Sequence, residues 1–134
     1  MSALVEVLYP MPDTRRTAPS IVHWWESRRL LYNGVVGTTG LFTLAAVLLL
    51  VPPGSGMEPQ GLVLFTLAYG VMANVCYSAG WVLELLARWA WGSGAPRVGP
   101  FLFREGLIFS VGLTLLPVLP ALVYRVVRTA MWIF

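Results

Sequence analysis

Residues Pro59 to Leu83 read PQGLVLFTLAYGVMANVCYSAGWVL, a stretch without one charged side chain. A helix needs roughly 20 predominantly apolar residues to cross the hydrocarbon of a bilayer, and this run is long enough. Leu30 to Met57 and Gly106 to Tyr124 are equally free of charge. Once flanking loop residues are removed, spans are expected near Asn33–Val51, Gly61–Leu83 and Gly106–Tyr124. Pro52-Pro53-Gly54-Ser55-Gly56 and Gly92-Ser93-Gly94-Ala95-Pro96 read as the two turns between them. Connections this short predict antiparallel neighbours.

Composition sets the same class. Hydrophobic residues make up 57% of the 134 positions and charged residues 11%, against about 25% charged in an ordinary soluble domain. So short a chain cannot hide that much apolar surface in one water-soluble core. The expected fold is therefore all-α, an integral membrane bundle of about three transmembrane helices. Residues 1–32 read as a cytoplasmic arm ending in an interfacial helix, and residues 33–134 as the transmembrane domain. Ser20 is the expected N-cap of that interfacial helix, and Trp24 and Trp25 suit the headgroup boundary, as do Trp89 and Trp91. The N-terminus does not read as a signal peptide, because Glu6 interrupts its short apolar stretch and no basic region precedes it.

The nine basic residues are all arginine and the net charge is +3. Arg15, Arg16, Arg28 and Arg29 precede the first span, and Arg88, Arg97 and Arg104 lie between the second and third. The positive-inside rule puts the N-terminus in the cytoplasm. Arg125 and Arg128 then fall on the outer side, against the rule. Pro117 and Pro120 can kink or break the third helix, so the tail from Ala121 reads as an amphipathic helix or, alternatively, a fourth segment returning through the bilayer.

Enzyme signatures are missing. His23 and Cys76 are each the single residue of their type, so no tetrahedral zinc set and no His–Cys pair is available within one chain. No cofactor, no metal and no catalytic residue is expected. A lipid-modifying activity resting on Glu84 and Glu105 is the weakest reading, since no substrate can be named for it.

Three patterns remain. On a helix, Asn74, Tyr77 or Ser78, Trp81, Glu84 and Arg88 follow three- and four-residue steps along one face. Polar groups facing lipid are costly, so this stripe either lines a pore or ligand site, or hydrogen-bonds to other helices with Glu84 paired to an arginine. Gly34, Gly37 and Gly40 on the first span, and Ala73, Cys76 and Gly80 on the second, are small enough for close helix approach. They build either the monomer or a homo-oligomer. Arg15, Arg16, Arg28, Arg29 and Arg88 either attract an anionic ligand at the cytoplasmic face or merely fix topology against anionic lipid.

Trp25-Glu26-Ser27-Arg28-Arg29 followed by Tyr32-Asn33, and Ala73-Asn74 followed by Tyr77, Gly80-Trp81 and Glu84, resemble small bacterial membrane proteins of uncharacterised activity. The likeness covers about a third of the chain and implies a bacterial inner-membrane setting without a mechanism. The expected function is a non-enzymatic, homo-oligomeric inner-membrane protein, an ion channel or membrane-permeabilising effector with an arginine-rich entrance. The alternative is an accessory or anchoring subunit among other membrane subunits.

Overall fold

The computed structural model describes residues 17–52, 54–55, 58–92 and 98–133. Arg15, Arg16, Arg97 and most of the second turn lie outside the described residues. Those described are all-helical: α1 (Ala18–Leu50), α2 (Pro59–Trp91), α3 (Gly99–Leu115) and α4 (Val118–Ile133). Three helices are long and apolar enough to cross a membrane: Ala18–Leu50, Gln60–Trp91, and Gly99–Ile133 with α3 and α4 as one path.

The first helix starts well before Asn33. Thr17, in extended conformation, occupies the N-cap position with Pro19 in the first turn, and Ser20 Oγ donates back to the Thr17 carbonyl at 2.8 Å. Ser20 is thus inside the helix, not its cap. Residues 32 and 33 lie mid-helix, and the stretch expected as a separate interfacial helix is the first part of α1. The reason is packing. Ile21, Trp25, Arg28, Tyr32, Val36, Thr43 and Val47 are buried along one stripe, and the spacing of a helix continues unbroken from the first of them to the last.

α2 opens on Pro59, whose missing N–H costs nothing in a first turn. It closes at Gly92, which takes the positive φ of 62°. The turn before α2 uses Gly54 at φ 85°, a conformation open to glycine without Cβ strain.

The prolines of the third path bend it without ending it. Pro117 and Pro120 cannot donate to the carbonyls of Leu113 and Leu116. Leu116 N–H bonds Leu113 O at 3.3 Å and Leu119 N–H bonds Leu116 O at 3.2 Å, so tighter bonds satisfy both freed carbonyls. Leu116 itself keeps helical dihedrals. The described tail therefore runs onward past α1, and the fourth, returning segment is not formed.

Burial is inverted relative to a soluble bundle. Arg28, Thr43, Glu84 and Thr114 are buried, whereas Leu41, Phe42, Leu49, Phe65 and Phe109 point outward. The core cluster holds Ile21, Trp25, Tyr32, Val36, Ala73, Tyr77 and Phe103. Its rings meet edge to face, Trp25 against Tyr77 at 5.4 Å and against Phe103 at 6.2 Å between centroids.

Gly80 lets the Trp25 indole in. A Cβ there would stand 2.6 Å from Trp25 Cη2, whereas at Gly34 or Gly37 it would meet nothing within 4 Å. Gly80→Ala should therefore cost about 1–3 kcal/mol by overpacking and lower the thermal unfolding temperature of the purified protein. Gly106→Ala and Gly112→Ala, where a Cβ would also meet nothing within 4 Å, should leave it unchanged or raise it, since alanine favours a helix over glycine by about 1 kcal/mol.

Candidate functional site

The best-defined polar constellation sits where the start of α1, the end of α2 and the start of α3 meet. Glu84, 4% exposed, accepts a hydrogen bond from Trp25 Nε1 at 2.7 Å. Its carboxyl group rests on Gly99, where a Cβ would collide with Oε2. Gly99 opens α3, and a helix N-terminus carries the partial positive charge that favours a carboxyl oxygen there. Tyr77 Oη donates to the Trp25 carbonyl, so α1 and α2 are tied in both directions. Trp25, expected at the headgroup boundary, is the largest fully buried side chain. The correction has two causes: an acceptor at Glu84 for its N–H and room at Gly80 for its ring.

Beside this interior knot runs a second, outward-facing set. Arg29 clasps Glu26 through Nε to Oε2 at 2.8 Å and Nη2 to Oε1 at 2.7 Å. It also donates to Ser78 Oγ at 2.9 Å and to Asn74 Oδ1 at 3.4 Å. Asn74 Nδ2 in turn donates to Asn33 Oδ1 at 3.0 Å. Arg28 turns elsewhere, with Nη1 on the Trp24 carbonyl at 3.1 Å and its guanidinium 4.1 Å above the Trp24 ring, a cation–π arrangement.

The stripe read from the sequence therefore divides. Tyr77 and Glu84 point into the bundle, while Asn74 and Ser78 join Arg29 in a shallow groove on the α1–α2 surface. Arg88 is partly exposed in the last turn of α2. The small residues divide too. Ala73 is buried beneath the Tyr32 hydroxyl, Gly80 carries Trp25, and Gly40 comes within ordinary contact of Thr114. Gly34 and Gly37 face outward, and a Cβ at either would meet none of the described residues within 4 Å.

Gly99, Phe103 and Ser110 carried no signal singled out from the sequence, and Trp25 and Tyr32 were not placed in the interior. Tyr32 Oη meets Ser110 Oγ at 2.8 Å, and Tyr69 Oη meets Thr114 Oγ1 at 2.6 Å. The available signal was Ser110 and Thr114, polar positions one turn apart in an otherwise apolar run. Toward the opposite end the helices part around an apolar groove of about 680 Å³, bordered by Thr43, Val47, Phe65, Pro117 and Ala121. Among the described residues, no three His, Cys, Asp or Glu side chains converge.

Comparison with known proteins finds no matching family model, no similar curated protein and no similar solved structure. Function is therefore read from the chain's own geometry.

Trp25→Phe tests the knot. It keeps the ring but removes the N–H that serves a buried carboxyl group, and should cost about 1.5–3 kcal/mol. Denaturant unfolding of the purified protein measures this. Glu84→Gln retains an acceptor and should cost less.

Proposed function

We propose that the chain is a non-enzymatic integral membrane protein that crosses a bacterial inner membrane three times and acts as an assembly of its own copies. In that assembly the groove of Arg29, Asn74 and Ser78 faces a shared water-filled axis. It forms an anion-attracting entrance to an ion channel or membrane-permeabilising pore. The N-terminus lies in the cytoplasm, with Arg28, Arg29, Arg88 and Arg104 at that face.

One observation carries this reading. Arg29, Asn33, Asn74 and Ser78 form a polar, hydrogen-bonded cluster on a surface that is otherwise mostly apolar. Hydrocarbon does not solvate such groups, so the groove belongs against water or protein. The outward Gly34 and Gly37 supply a face on which a second helix can approach closely. The same open face favours the alternative, an accessory or anchoring subunit whose partners are other membrane chains.

The purified protein in detergent should have the mass of a multimer, and liposomes containing it should pass chloride. Arg29→Gln should lower that flux about tenfold, because one ring of positive charge is lost at the entrance. A strictly monomeric particle without conductance removes the proposal. Stable co-purification with unrelated chains moves the reading to the accessory subunit.

A further inference from the structure

The end of the molecule remote from Glu84 carries a helix that the bundle does not cover. Ala121 is the last buried residue of α4, and with Tyr124 it borders the groove beside Val47 and Val51 at the end of α1. From Leu122 to Ile133 every residue is exposed. Val126 and Val127 are more than half exposed, and Met131, Trp132 and Ile133 more so. At 1.5 Å per residue the stretch beyond Tyr124 is roughly 14 Å long. So much bare apolar surface needs cover.

The helix is two-sided. Arg125, Arg128 and Trp132 follow one another at three- and four-residue steps, with Thr129 beside Arg125. Leu119, Leu122, Val123, Val126 and Val127 fill the opposite arc. Arg128 Nη1 donates to Tyr124 Oη at 3.0 Å. No acidic residue follows Glu105 anywhere in the sequence. Glu58, the acid at the start of α2 near this end, is in no described ion pair with either arginine. The helix thus offers these two arginines no counter-charge of its own.

We infer that α4 is a lipid-binding foot: pivoting at the Pro117–Pro120 bend, it seats its valine face in the bilayer boundary while Arg125 and Arg128 hold anionic phospholipid headgroups. Arginine suits phosphate because its planar fork donates two parallel hydrogen bonds. Tyr124 and Trp132 have the part-wet, part-dry character of the same layer. A straight continuation of the span would instead carry two arginines outward with nothing to pair them. The inference rests on the membrane insertion proposed above.

The experiment uses the full chain with Cys76→Ala, reconstituted in phosphatidylcholine vesicles with and without phosphatidylglycerol. Val127→Cys, on the apolar arc, is labelled with a membrane-impermeant maleimide, and Met72→Cys, exposed at the middle of the apolar run of α2 and away from the Arg29 groove, is the control. Met72→Cys should resist labelling in both vesicles. If it reacts freely, membrane insertion itself fails. Phosphatidylglycerol should slow labelling of Val127→Cys by about fivefold for each arginine, and Arg125→Gln with Arg128→Gln should abolish the lipid dependence. Equal rates in the two vesicles overturn the inference, whether α4 is then covered by a second copy, sunk within the span or left in water.

Discussion

A carboxyl group buried where three helices meet is the constraint around which the rest is arranged. Removing Glu84 from water carries a large desolvation cost unless partners replace the lost hydrogen bonds. The indole of Trp25 replaces one, and the start of α3 lies against the same carboxyl group. Each partner imposes a demand on its neighbours. The ring requires a residue without Cβ at position 80, the carboxyl group requires one at position 99, and Tyr77 and Phe103 close the edges. One side chain thus fixes the relative height and rotation of α1, α2 and α3.

From that knot a ladder of smaller polar contacts climbs the interior, Tyr32 to Ser110 and then Tyr69 to Thr114. Each hydroxyl pair joins helices that an apolar surrounding would not drive together, since lipid tails solvate leucine as well as another leucine does. Close packing and hydrogen bonds must supply the association instead. This accounts for Tyr32, Thr43, Tyr77 and Thr114 among the buried residues. Arg29 extends the scheme to the rim, where one guanidinium bridges Glu26 on its own helix and two side chains of α2.

Composition and three uncharged runs were enough to read the class and the approximate positions of the helices. The ends were not legible, because the charges of Glu26, Arg28 and Arg29 set an interfacial helix apart from the span while the backbone does not divide there. An i,i+3 ion pair between Glu26 and Arg29 suits a helix surface, so α1 runs straight through them. The tie between Glu84 and Trp25 was also out of reach, because its hydrogen bond joins residues 59 positions apart. Three-residue spacing of glycines marked a small face but not which way it points. Gly34 and Gly37 turned outward, while Gly80, in a less regular setting, became the close contact.

The two ends of the bundle consequently differ in kind. At the Glu84 end, buried aromatic rings and reciprocal hydrogen bonds pack α1 against both neighbours. At the other end Pro117 and Pro120 replace regular helix bonds by tighter ones, and the helices part around an apolar groove of about 680 Å³. Local opening is easiest where buried contacts are few, so motion in this protein belongs to the proline-bent end. Rearrangement there leaves the Trp25–Glu84 clasp untouched, because no residue of α4 takes part in it. A structure fixed at one end and compliant at the other can change shape at that end without unfolding.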